Sequence, residues 1–464
     1  MLAAARVRLG WRPARSSFFA DLATVLSERD FRRLFGTRLI SQAGDGMFTA
    51  GLGAYVFFNA TSFPNPVSAA GAFAVLYLPY SLIGPFAGVL IDRWSRRQIL
   101  VWSALIRSAV VTVTALLVAS GNLGVPLYAS VLVVLGVNRF FLSSLSAALP
   151  HVVAEDKLVM ANSVAPTSGT IAGFIGGFTG LGIHLGTGGG KGGSAATLLV
   201  AGACYLVAGA VAATMHRDVL GPDRAEVREQ HAGILTELGV VAAGLAAGAR
   251  HVLSRRRAAA ALFATACQRT LYGILFLMSI LLYRNYFYHA SANNALRHFT
   301  LVIVASAIGY GAAAVLTPVV SGRLPTGALI TVLLAMAGIV AGPLGATFSQ
   351  VPFLVVSFAV SLAAQGVAIT ATTILQQEVD DSFRGRVFSF YDMFFNAPFV
   401  IGAAVSAAFM PFDGKSYPLL AVAGAGYVLA AVAYAMLSRQ PSAGGSPPSP
   451  AVISPSAAAQ RSSS

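Results

Sequence analysis

Apolar residues run through this chain in long blocks, broken by short polar turns, rather than alternating with the period of an amphipathic strand. A helix needs about 20 mostly apolar residues to cross the hydrocarbon of a bilayer. Twelve stretches meet that length, at about 36–58, 67–91, 98–119, 125–149, 160–184, 195–215, 259–284, 298–320, 326–347, 351–374, 387–410 and 417–437. Gly and Pro fall inside many of them, which helices in lipid tolerate. The pattern predicts an all-α membrane protein: twelve transmembrane helices in two pseudo-symmetric six-helix bundles.

The polar breaks divide the chain. Residues 1–35 form an N-terminal segment, 36–215 a first bundle, 216–258 a linker, 259–438 a second bundle and 439–464 a tail rich in Ser, Pro and Ala, which is expected to be disordered. The linker stretch 234–253 mixes apolar residues with Arg250 and His251, and predicts an amphipathic helix lying on the membrane surface. A plain linker is the alternative. A weak repeat links the halves: Val153 and Glu155 lie between spans 4 and 5, as Val379 and Asp381 lie between spans 10 and 11. Repeats of this kind mark two-bundle transporters.

Composition agrees. Of the residues 56% are hydrophobic and 10% charged, with mean hydropathy +0.73, where a soluble domain carries roughly 25% charged residues. The net charge of +14 would suggest nucleic acid in a soluble protein. Here the basic residues concentrate in alternate loops, including Arg32, Arg33, Arg93, Arg96, Arg97 and the arginines of the linker, while 59–66 and 120–126 carry no charge. Cationic loops stay cytoplasmic, which places both termini in the cytoplasm. No nucleic-acid partner is expected. Cys204 and Cys267 lie inside spans and read as small core residues. No apolar leader precedes the first span.

The strongest local signal is GVLIDRWSRRQIL, from Gly88 to Leu100, which closes span 2 and opens span 3. Gly88 permits close helix approach. Asp92 is followed at once by Arg93, Arg96 and Arg97, a set suited to a cytoplasmic latch of charge-assisted bonds that breaks when bundles rock. This motif resembles the loop between helices 2 and 3 of the major facilitator superfamily, with Ser95 standing where that family usually has a second Gly. SGRLPTG, from Ser321, is a worn counterpart in the second half. LVMANSV and RGRVFSF resemble the third drug:proton antiporter subgroup, which includes macrolide, siderophore and lysophospholipid exporters. The resemblance spans all twelve helices and implies the major facilitator fold.

Ionisable groups inside spans are costly and therefore informative. Asp45 lies in span 1; a carboxylate in a low-dielectric cavity takes up protons more readily, which makes Asp45 the first candidate for proton coupling. A structural ion pair is the alternative. Arg139 in span 4 resembles the superfamily's helix-4 arginine, which implies a part in proton relay, although Ser143 departs from the Gly expected there. Arg107 in span 3 and Arg269 in span 7 should face a cavity or pair with carboxylates. Asp392 in span 11 is placed to join Arg384 and Arg386 in a gate or at the cytoplasmic end. Candidate cavity-lining residues are Phe140, Phe141, Tyr272, Phe276, Phe394, Phe395 and Asn396, together with Arg107 and Arg269. Gly169, Gly173, Gly176, Gly177 and Gly180 let another helix pack against span 5. They resemble the antiporter signature of helix 5, with Phe174 in place of its Pro.

Two apparent motifs carry no chemistry. GTGGGKGGS, from Gly186, lacks the Ser or Thr that a phosphate-binding loop needs after Lys191. The histidines show no metal spacing, and no catalytic constellation is present, so neither an enzyme nor a cofactor is expected. The resulting expectation is a multi-pass cell-membrane protein, working as a monomer on lipophilic or drug-like molecules by proton-coupled alternating access. A lipid or lysophospholipid transporter is the alternative, and a non-transporting receptor or scaffold a third.

Overall fold

The computed structural model describes residues 27–58, 65–82, 94–154, 158–216, 219–220, 234–321, 323–379 and 381–439. These form thirteen long helices, with no strand among the described residues. The first six are α1 (Arg29–Phe57), α2 (Pro66–Leu82), α3 (Arg96–Ala119), α4 (Val125–Ala148), α5 (Leu158–Gly186) and α6 (Gly190–Ala213). The linker forms α7 (Ile234–Ser254), which packs on α12 and α8. The rest are α8 (Arg256–Leu281), α9 (Ala292–Ser321), α10 (Thr326–Gly345), α11 (Gln350–Glu378), α12 (Asp381–Ala407) and α13 (Tyr417–Arg439). A π-helical turn, Leu282–Phe287, extends α8.

Apart from α7, each helix matches one predicted span, and most run past it. Extra helical turns at the ends carry polar residues such as Arg29, Asp30 and Gln350, which hydropathy alone leaves out. Among the described residues, nine helices are long and apolar enough to cross a membrane. The α5–α6 connection turns on Gly188, Gly189 and Gly190, all at positive φ, so the glycine run serves as a hinge of backbone geometry that side chains would strain.

The two halves pack alike. In the first, α1 lies on α5 and α6, α3 on α6, and the second half repeats this with α8 on α12 and α13, and α10 on α13. The seams match residue by residue. A side chain at Gly176 would strike the Ala43 carbonyl, and one at Gly46 the Gly173 carbonyl; in the second half, Gly402 meets Thr270 and Gly273 meets Phe399 in the same way. Corresponding positions are offset by 227 residues in the first helix of each pair and 226 in the second, the latter being the spacing of Val153 and Val379. Small residues that bring backbones together are how helices associate where lipid removes the hydrophobic drive.

The halves meet unevenly. α2 packs along α12 and touches α8, whereas α5 and α9, the pair that the repeat relates to α12 and α2, do not pack along one another among the described residues.

Candidate functional site

α1 carries the central polar group. Asp45 is a quarter exposed, and its carboxylate is ion-paired with Arg107 of α3, which is fully buried. Tyr205 of α6 donates to the same Asp45 oxygen at 2.9 Å, and the Asn138 side chain of α4 lies close enough to act on the carboxylate too. Arg107 also donates to Ser41 at 2.9 Å. Its guanidinium stacks over the Tyr205 ring at 3.7 Å and lies 5.3 Å from Phe141. Four helices therefore converge on one carboxylate. Gly44 makes room for this: a side chain there would press on Tyr205 and Cys204. A guanidinium with no exposed surface is tolerable here because a carboxylate, a hydroxyl and two ring faces replace its water.

The open side of Asp45 borders a cavity of about 510 Å³ between the two halves. Its polar end holds Gln42, Asp45 and Thr49; further along α1 it is walled by Gly53, Phe57 and Phe58, and across from them by Phe276, Phe299 and Ile303. Aromatic pairs close it at the end away from the chain termini. Phe58 meets Phe299 at 5.2 Å, and Phe73 meets Phe276 at 5.6 Å and Phe399 at 5.5 Å, every pair bridging the two halves. Asn293 adds a hydrogen bond of 3.2 Å to the Gly188 carbonyl.

The other expected site residues divide. Arg107 is not a cavity wall; it is the buried partner of Asp45. Arg139 does not share the Asp45 cluster. It lies close enough to act electrostatically on Asp392, across the two halves. Arg269 is 5% exposed; its Nε donates to the Phe395 carbonyl at 2.7 Å, and the guanidinium is 4.1 Å from the Phe395 ring, 5.1 Å from Phe399 and 5.5 Å from Tyr272. In the repeat register Arg269 corresponds to Gln42, and Tyr272 to Asp45, so the second half has no carboxylate at the position of Asp45. Of the expected lining aromatics, Phe276 is in the cavity wall. Tyr272 stacks on Phe276 from outside that wall, Phe394 packs on Phe390, Phe140 sits against Ile99, and Phe141 is buried beneath Arg107. Phe141 is fully buried, while Phe140, Tyr272 and Phe394 are half-buried and turn their packed sides to these neighbours rather than to the cavity. Asn396 donates to the Asp392 carbonyl at 3.0 Å, one turn back along α12.

The expected latch is described in part. Gly88, Asp92 and Arg93 lie outside the described residues, as do the side chains of Arg384 and Arg386, whose backbone is in α12. Arg96 donates to the Ala147 carbonyl at 3.1 Å and the Leu220 carbonyl at 3.2 Å and contacts His151 at 2.6 Å; Arg97 donates to the Ala213 carbonyl at 2.6 Å. Both arginines tie the start of α3 to the ends of α4 and α6 by satisfying carbonyls at helix C-termini.

Sequence reading missed Tyr205, Asn138 and the Phe58, Phe73 and Phe299 seal. Asn138, a polar side chain deep in an apolar span, carried the same signal as its neighbour Arg139.

No family model matches the chain. It is 36% identical over 418 residues to an uncharacterised MFS-type transporter of Mycobacterium tuberculosis, an alignment that covers 90% of this chain and 93% of the relative. The chain belongs to the MFS-type transporters. An uncharacterised MFS-type transporter of Mycobacterium bovis matches to the same extent. Among solved structures, the nucleoside transporter NupG superposes with TM-score 0.64 at 15% identity, covering 88% of this chain and 99% of that one. A mutant of the peptide transporter POT gives 0.65 at 13%, covering 88% and 93%. A bacterial homologue of the iron transporter ferroportin, in an outward-facing state, gives 0.55 at 16%, covering 88% and 99%. These likenesses are of fold. This MFS-type chain is thus a multi-pass membrane transporter with the major facilitator architecture.

Proposed function

We propose that this transporter exports lipophilic, drug-like molecules by proton-coupled alternating access, as a monomer in the cell membrane with both termini cytoplasmic. The observation that carries this is the pairing of a mostly apolar inter-bundle cavity with one carboxylate at its polar end, Asp45. Apolar walls with few convergent polar groups suit a lipophilic cargo. Asp45 is held by Arg107 and Tyr205 yet borders the cavity, so gain of a proton would loosen the cluster that joins α1, α3 and α6 and bias one state of the rocking bundles. Arg139 and Asp392, facing each other across the halves, are read as part of the gate at the terminal end, alongside the Gly88 to Arg97 loop. With the termini inside, the aromatic seal lies on the outer face, and the cavity is closed to the exterior.

The test is transport of a lipophilic dye into inverted vesicles or proteoliposomes under an imposed pH gradient. Asp45→Asn should insert normally and lose gradient-driven transport. Undiminished pH-driven transport by that variant removes the coupling mechanism.

A second reading, transport of a lipid or lysophospholipid, is favoured by the unpacked α5 and α9 pair, since such a cargo enters sideways. Translocation of a headgroup-labelled lysophospholipid in proteoliposomes, without dye transport, would select it.

A further inference from the structure

We infer that the cavity is loaded from within the bilayer, through the gap between α5 and α9, by an amphiphile carrying one polar group on an elongated apolar body. This rests on the transporter reading above and names the route and shape of its cargo.

The first observation is a broken symmetry. The repeat relates the α2 and α12 contact to α9 and α5. The former is packed shut, with Phe73 against Phe399; the latter pair is not packed along its length among the described residues. The second is the identity of the rim. Thr170, Phe174 and Phe178 follow one another at single-turn spacing on α5 and wall the cavity, and all are exposed, Phe174 at 43% and Phe178 at 38%. Ile303 on α9 faces the same cavity and is half-buried. Cavity-lining side chains that stay this exposed show that the cavity is open along its α5 and α9 side. Gly173 and Gly177, on the same face of α5, contribute no side chain and deepen the groove.

The third observation is which ways are shut. The end away from the termini is closed by Phe58 on Phe299 and by the bond from Asn293 to Gly188. The fourth is shape and polarity. The cavity follows α1 from Gln42 to Phe58, about 24 Å of helix at 1.5 Å per residue. Its polar side chains, Gln42, Asp45, Thr49 and Thr170, gather toward one end, where Gly169 lies against Gln42. Polarity at one tip of a long apolar slot matches an amphiphile that dissolves in the bilayer and slides in along its length.

Gly53 provides a reporter position: it walls the cavity, and a Cβ added there meets nothing within 4 Å. Gly53→Trp is made in a background with Trp11, Trp94 and Trp102 replaced by Phe, and the protein is reconstituted in phosphatidylcholine brominated on its acyl chains. Quenching should approach that of Ile308→Trp on the exposed surface of α9 and exceed several-fold that of the core control Phe48→Trp. Joining Phe174→Cys to Ile303→Cys with a bis-maleimide, in a chain lacking Cys204 and Cys267, should return the signal to the core level. Thr49→Trp serves as a second reporter if Gly53→Trp fails to fold. A reporter quenched by aqueous iodide alone, or by neither agent, overturns the proposal, and so does bromolipid quenching that the cross-link leaves unchanged. Quenching without any transport leaves the portal standing and removes the proposed function; transport without quenching does the reverse.

Discussion

The Asp45 carboxylate and the Arg107 guanidinium, 62 residues apart, form an ion pair in which one partner is sealed and the other is open to the cavity. That inequality predicts an unequal response to mutation. Asp45→Ala strands a guanidinium that has no exposed surface, and an uncompensated buried charge costs about 3–5 kcal/mol.

Arg107→Met is expected to cost less, because Asp45 keeps a quarter of its side chain accessible and can find water or a proton. A loss near the value of a single charged hydrogen bond, about 1.5–3 kcal/mol, is expected. The double variant should recover part of the Asp45→Ala loss, since no lone charge remains. Thermal unfolding of the four proteins in detergent measures the cycle; equal losses for the two single variants would contradict the geometry.

The glycine seams make a second prediction. Gly176→Ala and Gly402→Ala each drive a methyl into a facing backbone carbonyl, at Ala43 and Thr270, which cannot move as a flexible side chain would. Each should destabilise by about 1–3 kcal/mol, the usual cost of overpacking. Gly71→Ala and Gly311→Ala, where a Cβ meets nothing within 4 Å, should leave the melting temperature unchanged or raise it slightly. Because the seams are related by the repeat, both bundles should respond to a similar degree.

The all-helical fold, the long apolar helices and the glycine face of α5 were legible because each is written in local pattern: a hydrophobic block or a four-residue spacing. The partner of Asp45 was not. Several arginines lie at depth, and sequence offers no distance between α1 and either α3 or α4. Arg139 was given a part in proton relay by its resemblance to a family motif, and nothing in the sequence pointed to Arg107 as the residue that holds the carboxylate. The lining aromatics were illegible for a related reason. An apolar ring facing a cavity and one facing a neighbouring helix read identically in sequence, which is how Phe276 could be found while Phe299 was missed.

Arg269 gives a third prediction. Among the described residues no carboxylate pairs with it; its neutralisation comes from one carbonyl and three ring faces. A desolvated cation–π contact contributes about 2 kcal/mol. Phe395→Leu should therefore destabilise the protein by roughly that amount, and Phe395→Trp should restore most of it. Arg269→Lys should not substitute, because an ammonium cannot lie flat on a ring while donating to the Phe395 carbonyl. Melting curves of the three variants decide it, and indifference to Phe395→Leu would mean that the ring is only a neighbour.

The aromatic seal supplies the last prediction. Phe58 on Phe299 and Phe73 on Phe276 and Phe399 join halves that otherwise meet chiefly through α2. Each aromatic pair contributes about 0.5–1.5 kcal/mol beyond its buried area, and in a two-state rocking motion that energy belongs to the sealed state alone. Removing a ring therefore shifts the population toward the state open at this end rather than merely weakening the fold. In a chain lacking Cys204 and Cys267, Gly53→Cys reports on the cavity behind the seal. Adding Phe299→Ala should raise its labelling by a membrane-impermeant maleimide, applied at the face away from the termini, by about 3- to 10-fold. Phe409→Ala, on an exposed ring outside the seal, should leave the rate unchanged. If both substitutions accelerate labelling equally, the effect is general loosening, and the rings do not hold the gate.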